Sequence, residues 1–330
     1  MGEAAHPERA LLQRLAEGAV SGSVLARESG QTRAAVWKRI AALREAGIAI
    51  DAEPGAGYRL AQPLDLLDAD AILQALPAAV RAGTARLEVA WSLASTNSAL
   101  LDADTPPRGC AVLLAERQTG GRGRRGRAWA SPLAAHVYLS VARRFEGGLA
   151  RLGGLSLVAG VACCEALHAL GCPQVGLKWP NDLVVADAAG LRKLGGVLVE
   201  GAGETAGAAR AVIGIGLNVR MPAAVAAGID QPWIDLAALG NAPPSRNTVV
   251  ARLLERLLPA LDDFDAGGLA AFLPRHAAHD VLAGRAVRVH EAATTWDATA
   301  LGIAEDGALR VRSADGGERR VHAGDVSVRA

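Results

Sequence analysis

Lysine is scarce in this chain: it supplies three of the 35 basic residues, Lys38, Lys178 and Lys193. A lysine kept in a sequence so rich in Ala, Gly and Arg can mark a place where a compact charge on a thin stem does what a planar guanidinium cannot. Chance retention is the other reading. It weakens because Lys178 and Lys193 both fall inside the strongest motifs described below. Cysteine is sparse as well, at Cys110, Cys163, Cys164 and Cys172. None forms a C-x-x-C pair and no histidine stands at zinc-finger spacing, so the four read as small buried hydrophobes in a reducing cytosol. No apolar run reaches the roughly 18 residues of a membrane span. The N-terminal stretch MGEAAHPERALLQRL lacks a basic start and an apolar core, so no signal peptide is expected and the expected location is the cytoplasm. A net charge of +1 excludes a general polyanion binder. Any nucleic-acid contact must come from a local patch.

What is present is enough for a real core. The 330 residues suggest two or three domains, and an apolar fraction of 51% argues against disorder. The first sixty residues read as three helices and a hairpin. Pro7–Glu17 carries Leu11, Leu12 and Leu15 at helical spacing, Val24–Glu28 is closed by Gly30, and Thr32 caps Arg33–Ala46 before Gly47. On the third helix Val36, Ile40 and Leu43 share one face, with Arg33, Trp37 and Lys38 largely off it. Ile48–Ile50 and Pro54–Leu60 follow as short strands, which completes the order of a winged helix-turn-helix. Ala61–Asp65 reads as a linker.

A larger α/β region comes next. Its strand candidates are Leu87–Leu93, Ala111–Glu116, Val137–Ala142, Val184–Val185, Val197–Glu200 and Val212–Ile215. Its helix candidates are Leu149–Leu170 and Thr248–Leu261. Loops rather than regular helices often separate the strands, against a repeating βαβ fold. From about Ala283 short strands take over: Ala286–His290, Trp296–Ile303, Ala308–Arg312, Glu318–His322 and Val326–Arg329, with hairpin turns at Asp306-Gly307 and Asp315-Gly316. This pattern predicts a small β-barrel of the SH3-like kind. The expected division is 1–62, 63–282 and 283–330.

Five motifs carry chemistry. GRGRRGRAWASP, Gly121–Pro132, contains G-x-G-x-x-G, but a dinucleotide fingerprint needs a helix directly after it, and Trp129 to Pro132 start one poorly. A solvated basic loop is one alternative. A mobile loop folding over an anion is the other, since glycines let the backbone approach and arginines offer forks to phosphate or carboxylate. KWPNDL, Lys178–Leu183, ends a strand at a lysine and turns through a rigid Trp-Pro corner. KLGGVLVE, Lys193–Glu200, pairs a lysine with Gly195-Gly196, which permits close approach of a ligand. GIGLNV ends a buried strand on Asn218, and Ser95-Thr96-Asn97 stands at a helix start.

Together these motifs closely resemble the bifunctional biotin protein ligase/biotin operon repressor family, over essentially the whole length. TRAAVWKRIAALREAGI, the wing PGAGYRL and the terminal GDVSVR belong to the same resemblance. It implies a central mixed sheet similar to class II aminoacyl-tRNA synthetases, in an α/β (α+β) multidomain chain with an N-terminal winged helix-turn-helix and a C-terminal SH3-like barrel. It implies that Ser95, Thr96, Asn97 and Gln118 line a biotin pocket, and that Arg122, Gly123 and Arg124 belong to a loop that orders over biotin. Lys178 would contact the reacting carboxylate and the α-phosphate, which makes it, with Arg124, the expected catalytic pair. Arg127, Trp129, Asn181, Lys193, Gly196, Asn218 and Arg329 would serve the nucleotide, with Mg²⁺ held mainly by the ATP phosphates.

The implied chemistry joins biotin to ATP as biotinyl-5′-AMP, then to a lysine of the biotin carboxyl carrier protein domain of acetyl-CoA carboxylase. No protein nucleophile is needed, in line with the lack of a Ser-His-Asp or Cys-His set. The N-terminal unit would bind operator DNA of biotin genes through Gly22, Ser23, Thr32, Arg33, Trp37, Lys38 and Arg39, as a homodimer favoured by biotinyl-AMP. Two residues depart from the family pattern. Trp91 stands where an aliphatic residue is expected and would reshape the pocket edge, and Trp37 would shift DNA sequence preference. The alternatives are a ligase with a vestigial winged helix and a lipoate ligase, which lacks the GRGRRGR loop.

Overall fold

The computed structural model describes residues 7–53, 55–188, 190–203, 209–240, 243–291, 294–322 and 325–328. The chain opens with α1 (Pro7–Ala16), α2 (Gly22–Glu28) and α3 (Arg33–Glu45). Thr32 caps α3 through its side chain, which accepts from the Ala35 amide at 3.2 Å. Val36, Ile40 and Leu43 are buried on one face of α3, while Arg33, Trp37 and Lys38 stay exposed, as the periodicity requires. The strand expected at Ile48–Ile50 starts later: β1 is Ile50–Glu53 and pairs antiparallel with β2 (Gly57–Leu60). The cause is the end of α3, where the Ile48 amide closes the cap by donating to the Leu43 carbonyl at 3.0 Å. Gly57 has φ +95°, and a Cβ there would stand 2.3 Å from the Val20 carbonyl, so only glycine fits this point of the wing.

Two short helices that the sequence pattern does not announce, α4 (Ala69–Ala75) and α5 (Ala78–Ala82), lead into a seven-stranded sheet. Its strands are β3 (Thr84–Ala90), β4 (Cys110–Ala115), β5 (Val137–Phe145), β6 (Val175–Lys178), β7 (Asp182–Asp187), β8 (Gly190–Gly203) and β9 (Ala209–Leu217). They lie in the order β3-β4-β5-β9-β8-β7-β6, with β3–β4 parallel and the other neighbours antiparallel, so the sheet is mixed as expected.

Further helices of this region include α6 (Thr96–Asp102), α7 (Leu155–Ala169), the short α8 (Ala223–Ala226) and α9 (Arg246–Gly267). The expected helix Leu149–Leu170 is broken: a 3₁₀ turn at Leu149–Leu152 gives way to α7 at Gly154, whose φ of +84° no right-handed helix accepts. Helix α7 is apolar nearly all round, which suits a helix held between the sheet and α9. Helix α6 packs on β4, β5 and β9.

After α10 (Leu273–Ala277), strands β10 (Ala286–Glu291), β11 (Thr294–Ile303), β12 (Leu309–Ser313), β13 (Glu318–Val321) and β14 (Asp325–Val328) form an antiparallel sheet in the order β13-β12-β11-β10-β14. Gly307 and Gly316 take positive φ in the two predicted turns.

The N-terminal unit shares its core with the large sheet's edge. Trp91 is buried with Leu11, Leu12, Leu15 and Leu133, and its ring N–H donates to Glu8 at 3.0 Å. This corrects the expectation for Trp91: an indole that buries most of its surface here glues the helices to the central unit, and it does not edge the pocket. Among the described residues no helix is long and apolar enough to cross a membrane.

Candidate active site

A single pocket gathers side chains from α6, the loop after β4, and β5, β7, β8 and β9. One end is neutral and tightly hydrogen-bonded. Ser95 caps α6 through the Ser98 amide, which presents Thr96 and Asn97 inward, each about as buried as a core leucine. Gln118 takes both the Thr96 amide (2.8 Å) and the Thr96 hydroxyl (3.1 Å) on its side-chain oxygen. The buried Ser140 hydroxyl lies 2.7 Å from Thr96 Oγ1 and 2.6 Å from Asn97 Oδ1. Asn97 in turn donates to Glu200 at 2.8 Å. Gly214 is obligatory beneath this set, because a Cβ there would stand 2.3 Å from Asn97 Oδ1. Such a pre-bonded cluster of amides and hydroxyls can fix the orientation of a small, uncharged polar group.

The other end is charged. Lys193 donates to Asp182 at 2.6 Å, Lys178 lies 3.9 Å from the other oxygen of that carboxylate, and all three side chains are largely buried. Lys193 also sits over the Trp129 ring, 5.5 Å from its centroid. Trp129 lies against Gly216, where a Cβ would come within 2.7 Å of the indole. Gly196, opposite Asp182 in the β7–β8 register, leaves room for Lys193 to reach the carboxylate.

The Gly/Arg-rich segment arches between the two ends. Trp129 N–H donates to Gly121 O, Gly123 N–H to Arg127 O, and Arg122 bridges Ala128, so the segment folds back as a loop. A 3₁₀ turn at Arg124–Gly126 with Arg125 at φ +56° replaces any helix, which removes the dinucleotide reading. Arg122 bonds the Ser98 hydroxyl at 2.8 Å and Glu200 at 3.0 Å. Arg124 reaches Asn181 Oδ1 at 3.5 Å, and Asn181 donates to Val197 O at 2.6 Å. Arg127 completes this basic rim.

The structure thus brings Ser95, Thr96, Asn97, Gln118, Arg122, Gly123, Arg124, Arg127, Trp129, Asn181, Lys193 and Gly196 onto one wall. It places Lys178 beside that wall, paired with Asp182. Asn218 lies elsewhere: it is buried, its amide donates to the carbonyls of Lys193 (3.4 Å) and Ile234 (3.1 Å), and it acts by holding the strand that carries Lys193. Arg329 falls outside the described residues. The sequence does not single out three residues of the site. Asp182 stands inside the KWPNDL motif but reads only as part of a turn, Glu200 closes the KLGGVLVE motif without a role of its own, and Ser140 gives no local signal.

On the N-terminal unit, Ser23, Thr32, Arg33, Trp37 and Lys38 are exposed and Arg39 is half-buried, while Gly22 lies against the Tyr58 ring of the wing. Trp37 is 60% exposed, and among the described residues no other large hydrophobic is so exposed.

Comparison with known proteins agrees with this geometry. Residues 91–218 match the biotin/lipoate A/B protein ligase family, residues 8–59 an HTH domain, and residues 283–329 the biotin protein ligase C terminal domain. The bifunctional ligase/repressor BirA of Salmonella typhimurium is 39% identical over 321 residues, covering 97% of both chains. That of Escherichia coli is also 39% identical, covering 97% of this chain and 96% of its own. The biotin protein ligase from Aquifex aeolicus in complex with biotin and ATP superposes with a TM-score of 0.61 at 25% identity, over 74% of this chain and 99% of its own.

Proposed function

Because the chain belongs to the family of bifunctional biotin ligase/repressors, we propose that its pocket joins biotin to ATP and passes the biotinyl group to a lysine of a biotin carboxyl carrier protein domain. The observation that carries this is the pocket's polarity: a neutral, pre-bonded end and a lysine-rich end under one arginine loop. The neutral end, Ser95, Thr96, Asn97 and Gln118 backed by Ser140, suits the ureido head of biotin. The charged end suits the meeting of two anions. There the biotin carboxylate attacks the α-phosphorus of ATP, the bond to the β-phosphate oxygen breaks, and pyrophosphate leaves. Lys193, Lys178 and Arg124 offset the repulsion and stabilise the charge that develops. The acceptor amine then attacks the acyl carbon of the mixed anhydride and releases AMP. Arg122, Gly123 and Arg124 hold the loop as a lid that keeps water from the adenylate.

The pocket also offers oxygen donors of the kind a hard Mg²⁺ ion prefers, on Asp182 and Asn181. Asp182 is already paired with Lys193, so the ATP phosphates supply most of the ion's ligands. Bound there, Mg²⁺ would neutralise phosphate charge.

The test is adenylate formation and carrier-domain transfer with biotin and, separately, with lipoate. Product with biotin alone is expected. Equal product with lipoate would move the chain to the lipoate branch. A second variant probes the nucleotide end by itself. Gly216→Ala pushes a methyl into the Trp129 indole, and the expected loss is about tenfold or more in ATP affinity, since a packed core resists even one added methyl. Biotin affinity, read by calorimetry, should hold. A parallel loss of both would place Trp129 in general packing.

The chain divides into 1–62, 63–282 and 283–330 on this reading, which the matched spans 8–59, 91–218 and 283–329 support by each lying inside one part. The exposed side of α3, with Arg33, Trp37 and Lys38, is the operator-reading face, and two such faces in a biotinyl-AMP-bound homodimer would meet two half-sites. On a biotin-gene promoter fragment, binding is expected only with biotin plus ATP. The Arg33→Ala/Lys38→Ala variant should flatten the salt dependence by a slope of about 1 for each phosphate left without its cation. No binding would leave a ligase with a vestigial winged helix, and ligand-independent binding would remove biotinyl-AMP from control of the operator.

A further inference from the structure

A second constellation lies outside the ligase pocket, between α7, β6 and the segment after α10. Cys164 and His168 stand one helical turn apart on α7, so their side chains share a face. His279 reaches them from the far end of the chain, and the ligand atoms of all three lie within 4.8 Å of one another. We propose that Cys164, His168 and His279 form a site for a zinc-class divalent transition-metal ion.

Distances carry the argument first. Cys164 Sγ is 3.5 Å from His168 Nε2. A tetrahedral centre with metal–sulfur and metal–nitrogen bonds of about 2.3 and 2.0–2.1 Å has an S···N edge of roughly 3.5–3.6 Å, so this pair already stands at ligand spacing. His279 meets His168 edge to face, with ring centroids 4.8 Å apart at 90°. Metal binding would draw the three ligand atoms, now within 4.8 Å of one another, onto one centre. Thiolate and imidazole are the donors that zinc and cobalt prefer over magnesium or calcium. Three protein ligands leave a fourth position for water.

The surroundings favour occupancy. Cys164 is fully buried, whereas His168 and His279 are half-exposed and open an entry path for the ion. Arg275 of α10 grips Glu165 of α7 through two bonds, at 2.7 and 2.9 Å, and so fixes the His279 segment against the helix. Leu177 N–H donates to His279 O, and Val281 N–H donates to Leu177 O, which makes that segment an extra rung beside β6. At present the Cys164 thiol and the His168 ring both meet the Val175 carbonyl, at 3.3 and 2.7 Å. Metal entry breaks the S–H bond, forms a metal–sulfur bond and releases one proton to solvent. Since β6 ends at Lys178, the ion would clip the C-terminal segment to the strand that carries the ligase lysine.

Cobalt(II) is the probe, added to the full-length, chelator-treated chain without nucleotide. One equivalent should bind and give a thiolate-to-cobalt charge-transfer band with ligand-field bands of tetrahedral intensity, and Zn²⁺ should displace it. Cys164→Ser should abolish the charge-transfer band. His279→Asn, at a half-exposed position, should weaken Co²⁺ binding by roughly 10- to 100-fold or more, at least the range set by disturbing a ligand's support. Biotin binding should survive in both variants. Absence of a thiolate band in the wild-type chain, or its persistence in Cys164→Ser, would overturn the proposal.

Discussion

Replacing Lys193 with methionine is expected to slow biotinyl-adenylate formation by roughly 100- to 1,000-fold, the range seen when one preorganised donor is removed from a developing charge. Methionine keeps the stem's length and most of its packing against Trp129 but removes the ammonium. In the structure that ammonium is held 2.6 Å from Asp182. The carboxylate therefore does two things: it fixes the position of Lys193, and it balances two lysines that would otherwise repel each other in a half-buried wall. When triphosphate arrives, the lysines exchange one carboxylate for several phosphate oxygens. Asp182→Asn should accordingly cost less in rate than Lys193→Met, since both cations remain. Lys178→Arg should still cripple adenylation, because a broad guanidinium that pairs readily with the Asp182 carboxylate does not present the compact charge of an ammonium to the reacting groups. Single-turnover pyrophosphate release, with biotin affinity measured separately by calorimetry, checks the ranking. A Lys193→Met rate within a few-fold of wild type would remove this lysine from the chemistry.

Local signals were legible where the physics is local. The face of α3 followed from Val36, Ile40 and Leu43 at helical spacing, and the cap at Thr32 and the wing at the glycines followed from residue type. The loop Gly121–Arg127 lost its dinucleotide reading because no helix could begin at Trp129 and Pro132, and none does. What stayed hidden depends on partners distant in sequence. Ser140 looks like any polar residue in a strand until Thr96 and Asn97 are laid on it. Glu200 means nothing until Arg122 and Asn97 meet there. Asn218 drew attention as a lone polar residue at a strand end, but it faces the Lys193 and Ile234 carbonyls rather than the pocket. Cys164 reads only as a small buried hydrophobe, and His168 and His279 meet it through a turn of α7 and the packing of α10's exit onto β6.

The same limit applies to a buried ion pair at the start of α9. Replacing Arg246 with methionine is expected to cost about 3–5 kcal/mol, the usual penalty for removing one partner of a buried ion pair. Arg246 is 2% exposed at the start of α9, and its guanidinium lies 2.8 Å from Glu116 Oε2, itself 3% exposed. It also donates to the carbonyls of Asp65 and His136, while Glu116 accepts from the Leu67 amide at 2.6 Å. One buried pair thus ties three separated pieces together: the entry segment at Asp65–Leu67, the end of β4 and the start of α9. Methionine fills much of the volume but leaves the Glu116 carboxylate stranded without its cation and two carbonyls without donors. The destabilisation should therefore depend on that charge. Combining Arg246→Met with Glu116→Gln removes the stranded carboxylate, so the double variant should be destabilised markedly less than the sum of the two single variants. Unfolding in urea, followed for both single variants and the double, gives the coupling directly. Additive effects would mean that Arg246 stabilises the fold through packing and its carbonyl bonds, with the ion pair contributing nothing of its own.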